Sequence, residues 1–240
     1  MGSYIRRKNL FQLFNSDCLQ GLKMLESETF DLALIDPPYF DYKTNHREKG
    51  HKFTKSFVQQ SQVDQLEVIN ECKRLLKPSG AFYIFLNWDN IYWVQQPYKT
   101  FIRNMIIWDK GNWPAGDLYG SLANKYEVVF LATRGDGWTY RGGRIHDIWV
   151  HPRVGGNRIH ATEKPVSLYR QCIEVACDPG AWIVDPYAGS GSSIQAALEL
   201  GRNIISWELD PDYYRGAYGR SCAVQKLVAQ GQRLQGGSQT

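Results

Sequence analysis

The sequence lacks the features that define several common protein classes. Its five cysteines are scattered, and none forms the Cys-x-x-Cys pair used by zinc sites and redox motifs. We therefore expect no metal site, no disulfide framework and a reducing, cytoplasmic location. No apolar run approaches the roughly 20 residues that a membrane-spanning helix needs. The basic N-terminus also lacks the apolar stretch of a signal peptide, so we expect no contact with a membrane.

The composition fits one α/β domain, because 240 residues with a hydrophobic fraction of 43% can bury a substantial core. Apolar runs of strand length alternate with stretches of helical periodicity. This alternation predicts a doubly wound, mostly parallel sheet. The expected strands are 10–14, 31–35, 81–86, 102–108, 126–132, 182–184 and 203–207, and the expected helices are 18–25, 63–76, 165–176, 192–200 and one after Pro211.

A glycine-bearing turn follows the expected strand 182–184. It runs from Asp185 through Gly189 and Gly191 into a helix, and both glycines allow a ligand to approach the backbone closely. The start of that helix adds N–H groups without partners. Glu208 comes after the next strand, about 20 residues on, where an acid commonly accepts hydrogen bonds from ribose hydroxyls. The alternative is a tight strand-to-helix turn, but Glu208 favours a site for a cofactor that contains a nucleoside.

A second motif, Asp36-Pro37-Pro38-Tyr39, follows the apolar run 31–35. Consecutive prolines keep the backbone extended and remove N–H donors. The Asp36 carboxylate and the Pro37 carbonyl can therefore accept both N–H groups of an exocyclic amine, while Tyr39 stacks on the base. Two acceptors favour a pyramidal nitrogen whose lone pair faces a methyl donor, without prior deprotonation. We interpret these four residues as catalytic; a rigid exit from the strand is the simpler alternative.

The order of the two motifs resembles that of the β-type amino-methyltransferases of DNA, which use S-adenosylmethionine. In that family the Asp-Pro-Pro-Tyr motif precedes the cofactor motif, and a target-recognition segment lies between them. The similarity extends from Leu10 to Tyr214, with Asn15 where the family usually has Gly and Ala161 where it often has Pro. The other matching segments are 15–19, 31–35, 108–112, 126–127 and 160–165. The resemblance implies a Rossmann-like methyltransferase fold with a small inserted target-recognition segment.

The resemblance also implies S-adenosylmethionine as the cofactor. It places Asp17 and Cys18 near the cofactor adenine and residues 162–165 beside the cofactor. The residues expected to bind it are Asp17, Cys18, Asp36, Thr162, Lys164, Pro165, Asp185, Ala188, Gly189, Ser190, Gly191, Glu208 and Asp210.

Double-stranded DNA is the implied partner. A target amine inside a duplex cannot reach the cofactor, so we expect the nucleotide to be flipped out of the stack. A basic loop over residues 40–62 follows the catalytic motif, and we expect it to be mobile without DNA. The residues expected to bind DNA are Lys43, Arg47, Lys49, Lys52 and Lys55 in this loop, and Lys110, Arg141, Arg144, Arg153 and Arg158 in the insertion.

The chain then divides into functional parts of one domain. Residues 1–109 form the catalytic half, 110–160 the target-recognition insertion, 161–229 the cofactor-binding half and 230–240 a flexible tail. Roughly half of the arginines in the insertion are expected to contact phosphate or only solvent. A homodimer and a cognate restriction endonuclease are further partners that the resemblance leaves open.

Asp rather than Ser at position 36 resembles the adenine-specific members, so we expect methylation of the N6 amine of adenine. The alternatives within the enzyme class are the N4 amine of cytosine and an amine of RNA. A nicotinamide-dependent oxidoreductase is disfavoured, because Ile194 occupies the last position of the Gly-x-Gly-x-x-Gly pattern. A DNA-binding protein without catalytic activity is the alternative from another class.

Overall fold

The computed structural model describes residues 11–38, 61–112, 122–155, 159 and 162–231. Six α-helices occur in this part of the chain, with a 3-10 turn at Trp88–Asn90 before the third. The helices are α1 (Cys18–Lys23), α2 (Gln62–Leu75), α3 (Ile91–Tyr98), α4 (Val166–Ala176), α5 (Ser192–Glu199) and α6 (Pro211–Ala229). The strands are β1 (Phe11–Phe14), β2 (Phe30–Ile35), β3 (Leu76–Leu86), β4 (Ile102–Asp109), β5 (Tyr126–Thr133), β6 (Ile148–Val150), β7 (Trp182–Asp185) and β8 (Asn203–Trp207).

The eight strands form one sheet in the order β1-β8-β7-β2-β3-β5-β4-β6. Among these described strands, only β5 runs antiparallel to its neighbours β3 and β4. The other pairs are parallel. The expected α/β class with a mostly parallel sheet is therefore confirmed.

Helices cover both faces of the sheet, as buried parallel strands require. In β2, Leu32 and Leu34 point into the core that contains buried residues of α4, α5 and α6. Ala33 and Ile35 point into the other core, which contains buried residues of α1, α2 and α3. All four side chains are at most 1% exposed, which explains why β2 appears in the sequence as a continuous apolar run.

The expected elements occur, with changes at their ends. The segment Lys77–Gly80, between the expected helix 63–76 and the expected strand 81–86, lies within β3, which begins immediately after α2. Pairing of β2 with β3 shifts register there, between Phe30 and Leu32. Two elements were not expected from the sequence: α3, which contains Pro97, and the three-residue edge strand β6. None of the described helices combines the length and apolarity required to cross a membrane.

The packing of α1 against β8 generates the first prediction. A Cβ at Gly21 would lie 2.2 Å from the indole nitrogen of Trp207, a side chain that is only 3% exposed. We expect Gly21→Ala to lower the free energy of unfolding by roughly 1–3 kcal/mol, because the buried ring must move. Urea denaturation followed by fluorescence measures this change.

The matched control is Gly219→Ala in α6, where an added Cβ meets nothing within 4 Å. Alanine has the higher helix propensity, so this variant should gain roughly 0.5–1 kcal/mol. Equal effects of the two substitutions would contradict the close contact between Gly21 and Trp207.

Candidate active site

Three carboxylates lie at the carboxyl ends of neighbouring strands. Glu208 follows β8, Asp185 ends β7 and Asp36 follows β2, and these strands pair in the order β8-β7-β2. Residues that are far apart in sequence therefore share one edge of the sheet. In open α/β sheets this is the edge where ligands bind.

Asp36 is held by side chains from the cofactor half of the chain. Its Oδ1 lies 2.8 Å from Nζ of Lys164, and its Oδ2 lies 3.4 Å from the hydroxyl of Tyr169 on α4. Burial raises the pKa of the Asp36 carboxyl, and the ammonium group of Lys164 limits that rise. The Asp36 side chain keeps 16% of its surface exposed, so part of the carboxylate remains accessible to a ligand.

A row of alternating charges continues from Asp36. Nζ of Lys164 also lies 3.4 Å from Glu127 at the start of β5, and the other oxygen of Glu127 lies 3.5 Å from Nζ of Lys110. Burial would lower the pKa of Lys164, but the two carboxylates raise it above its usual value. Burial lowers the pKa of Lys110 despite its pairing with Glu127.

The two prolines of the motif follow Asp36, and the backbone of Pro38 has a buried partner. Nε2 of Gln65 on α2 donates to the Pro38 carbonyl at 2.6 Å, and Gln65 is only 1% exposed. This contact fixes the direction in which the chain leaves β2. Tyr39, expected to stack on a base, lies outside the described residues.

The turn after β7 has the conformation that its glycines predict. Gly189 and Gly191 have φ values of 53° and 78°, in the left-handed region that favours glycine. Asp185 ties the turn together, because it accepts hydrogen bonds from the backbone N–H of Tyr187 and from the hydroxyl of Ser193. Burial raises the pKa of Asp185 to about 7, and the neighbouring charges of Asp36 and Glu208 add to the rise.

Glu208 is fixed by two backbone amides. Its oxygens accept from the N–H groups of Gly189 at 2.9 Å and Asp210 at 2.8 Å. Burial raises the pKa of Glu208 to about 6. Asn15, which stands where the family usually has Gly, donates to the backbone carbonyls of Glu208 and Leu209 at 2.8 and 3.0 Å. The carboxylate is therefore held at the rim of the glycine turn before any ligand arrives.

An ion pair that sequence reasoning missed joins the segment before α4 to the glycine turn. Arg220 on α6 lies 2.6 Å from Glu163 and donates to the backbone carbonyl of Ser190 at 3.1 Å. The other oxygen of Glu163 accepts from the N–H of Ile159 at 2.9 Å. Helical periodicity gives no signal for this contact, because the three elements are distant in sequence. The pair holds Lys164, the next residue, against Asp36.

The remaining expected cofactor residues lie around the same edge. Asp17 caps α1 by accepting from Leu19 N at 2.9 Å, and Asp210 caps α6. Cys18 is buried, which raises the pKa of its thiol to about 12. Ala188 pairs its N–H with the carbonyl of Trp207. Thr162 directly precedes Glu163, and Pro165 is the N-cap of α4.

The structure separates the residues expected to bind DNA. Lys110 is only 7% exposed and faces Glu127 rather than a surface. Arg141 donates to the carbonyl of Ala176, where α4 ends at the edge of the sheet opposite Asp36. Arg144 lines a cavity of about 610 Å³ bordered by β4 and α4. Lys110, Arg141 and Arg144 therefore do not form one surface at the site.

Arg153 lies at the edge with Asp36, since its N–H reaches the carbonyl of Lys110 at 3.4 Å. The other expected DNA-binding residues lie outside the described part of the chain. They are Lys43, Arg47, Lys49, Lys52, Lys55 and Arg158.

The raised pKa of Asp185 generates the second prediction. The folded state favours the neutral acid, so the stability that this group contributes is complete below about pH 4 and is lost as the pH rises through about 7. Asp185→Asn resembles the neutral form, so its stability relative to the natural protein should increase as the pH rises, by roughly 2–4 kcal/mol between about pH 4 and pH 8. Urea denaturation at a series of pH values measures the difference, with Asp89→Asn on the exposed 3-10 turn as the control. A difference that does not change with pH would contradict the burial of Asp185.

The sequence is similar to those of known methyltransferases. The Type II methyltransferase M.HinfI of Haemophilus influenzae is 27% identical over 236 residues, which cover 84% of this chain; the chain spans 65% of the length of that enzyme. The DNA adenine methyltransferase YhdJ of Escherichia coli K12 is 27% identical over 85% of this chain and 80% of its own.

A solved structure supports the fold. The crystal structure of the M1.HpyAVI-SAM complex has a TM-score of 0.67 and 20% identity, and the match covers 88% of this chain and 99% of that chain. The N6_N4_Mtase family, described as DNA methylase, matches residues 30–219. The chain belongs to this family of DNA methylases.

Proposed function

We propose that this protein transfers a methyl group from S-adenosylmethionine to the N6 amine of adenine in double-stranded DNA. One observation carries the proposal: the carboxylate of Asp36, followed by two prolines, lies at the sheet edge that also carries Glu208 and the glycine turn. A hydrogen-bond acceptor for an amine and a site for a nucleoside therefore lie at neighbouring strand ends.

The residues at this edge fit the proposed cofactor. The carboxylate of Glu208 lies at the rim of the glycine turn, and the cofactor carries ribose hydroxyls and positive charge on its sulfonium and amino groups. Each oxygen of Glu208 accepts one backbone N–H and retains a lone pair for a ribose hydroxyl. A pKa of about 6 leaves Glu208 mostly ionised at neutral pH. When bound, S-adenosylmethionine supplies an electrophilic methyl group.

Asp36 then acts on the amine of the base. Its carboxylate accepts a hydrogen bond from the amine N–H, which raises the electron density on nitrogen. The carbonyl of Pro37 is the second proposed acceptor. After methylation the nitrogen must lose one proton, and the Asp36 carboxylate, its hydrogen-bond partner, is the proposed acceptor. Preorganised acceptors of this kind lower the barrier without prior deprotonation of the amine.

DNA must bind next to this edge of the sheet so that the flipped base can reach Asp36. We assign Arg153 to phosphate contacts there, together with the basic loop 40–62 as proposed from the sequence. Arg141 is left out of this surface, because its guanidinium binds Asp178 and the carbonyl of Ala176. A homodimer and a partner endonuclease remain proposals that rest on the family resemblance alone.

Cytosine is the second candidate base. The family includes both N6 and N4 enzymes, so membership does not select the base. Asp36 favours adenine, as does the similarity to the DNA adenine methyltransferase YhdJ. Mass spectrometry of nucleosides from DNA methylated in vitro distinguishes the two bases. We expect N6-methyladenine, and detection of N4-methylcytosine alone would identify cytosine as the target base instead.

The third prediction concerns the amine acceptor. Asp36→Asn keeps the size of the side chain and removes its negative charge, so methyl transfer to DNA should fall at least about 100-fold. Transfer of labelled methyl measures the rate, and isothermal titration with the cofactor should show nearly unchanged affinity. Turnover at the natural rate in this variant would remove Asp36 from the mechanism.

The fourth prediction concerns the ribose ligand. Glu208→Gln replaces one charged acceptor with an NH₂ group, so at least one backbone amide or ribose hydroxyl loses its partner. The dissociation constant for S-adenosylmethionine should rise about 10- to 100-fold. Isothermal titration tests this, and a dissociation constant equal to that of the natural protein would exclude the ribose role.

A further inference from the structure

We infer that Lys164 is a positioning residue for Asp36: its ammonium, fixed in turn by Glu127, holds the Asp36 carboxylate in the orientation that receives the target amine. The inference rests on the proposed function and adds to it, because the family resemblance places Lys164 beside the cofactor instead. The inference is based on the row of side chains Asp36–Lys164–Glu127–Lys110, in which the successive nitrogen–oxygen distances are 2.8, 3.4 and 3.5 Å.

The position of Lys164 is fixed from several sides. Only 4% of its side chain is exposed, and its neighbour Glu163 is held by Arg220 from α6. Pro165 follows as the N-cap of α4, so the backbone on both sides is constrained. The ring of Phe85 lies 5.9 Å from the ammonium group. A side chain held in this way can orient its partner with little loss of rotamer freedom on binding.

The charges in the row balance in pairs. Asp36 and Glu127 are acids, Lys164 and Lys110 are bases, and each inner member lies between two groups of opposite sign. A buried ion pair contributes little net stability, but removal of one partner leaves an uncompensated charge. Lys164 contacts Oδ1 of Asp36, and the longer contact of Tyr169 reaches Oδ2, so the two residues together set the orientation of the carboxylate.

The charged groups that face Asp36 lead us to expect opposite shifts of its pKa for two substitutions. Lys164 lowers the pKa of Asp36, as does the hydroxyl of Tyr169, while Glu127 raises it. Asp185, on the neighbouring strand β7, also interacts with Asp36. Loss of Lys164 should therefore move the acidic limb of the pH–rate profile to higher pH, and loss of the Glu127 charge should move it to lower pH. If either residue had only a structural role, the two substitutions would not shift the acidic limb in opposite directions.

The experiment compares Lys164→Met, Lys164→Arg and Glu127→Gln with the natural protein. For Lys164→Met we expect the acidic limb of kcat/KM to rise by about 1–3 pH units, and kcat to fall about 10- to 100-fold. Lys164→Arg keeps the positive charge, so its acidic limb should lie close to that of the natural protein. The dissociation constant for S-adenosylmethionine should stay within about twofold in all three variants, as expected for a group that acts through Asp36.

A second readout does not depend on catalysis. Titration of the Asp36 carboxyl carbon by ¹³C NMR, in protein without cofactor or DNA and assigned with Asp36→Asn, reports its pKa directly. We expect this pKa to rise in Lys164→Met and to fall in Glu127→Gln. An inactive natural protein would overturn the proposed function, while the NMR titration would still test the part played by Lys164.

The matched control is Lys77→Met at the start of β3, which breaks the ion pair of Lys77 with Asp31 of β2, 2.7 Å away. This pair lies at the opposite edge of the sheet, so the pH profile should not move. If Lys164→Met does not fold, Glu127→Gln carries the test through the NMR titration. An unchanged pKa of Asp36 in Lys164→Met, or in Glu127→Gln where Lys164→Met does not fold, would overturn the inference, as would a large loss of cofactor affinity.

Discussion

The parallel pairing of β8, β7 and β2 brings Glu208, Asp185 and Asp36 to adjacent positions at one edge of the sheet. The same pairing buries these acids, and burial disfavours their charged forms. Every other feature of the site can be understood as a response to this crowding of carboxylates. The glycine turn contributes backbone and hydroxyl donors, and the segment before α4 contributes the ammonium group of Lys164.

The partners differ in kind, and the difference separates three roles. Glu208 receives two backbone amides, which hold it without adding charge. Asp185 receives an amide and a hydroxyl from its own turn, so it determines the shape of that turn. Within the part of the chain that the structure describes, Asp36 alone of the three receives an ammonium group, from Lys164. This ion pair is suited to an acid that must remain an acceptor although burial disfavours its charged form.

Much of this arrangement could be predicted from the sequence. The continuous apolar runs of β2, β7 and β8 indicate buried parallel strands, and the residues that follow such strands meet at one edge. Asp36, the glycine turn and Glu208 were therefore found without a structure. The Asp36 motif precedes the glycine turn and Glu208 along the chain, and the family resemblance rests on this order.

Other parts could not be predicted, for physical reasons. Pro97 argues against the helix α3, and the edge strand β6 is too short to show an alternating pattern. The sequence shows that Arg141 and Lys110 are basic but not what they contact; one binds a helix end, the other a buried acid. The ion pair of Lys164 with Asp36 spans residues 128 positions apart, so only the folded chain reveals it.

A crystal structure of the protein with duplex DNA and an unreactive analogue of S-adenosylmethionine tests the shared site most directly. We expect an extruded adenine whose amine donates to Asp36 within hydrogen-bond distance, with the analogue against Glu208 and the glycine turn. An adenine that remains in the duplex stack, or an analogue bound away from that turn, would contradict the proposed arrangement.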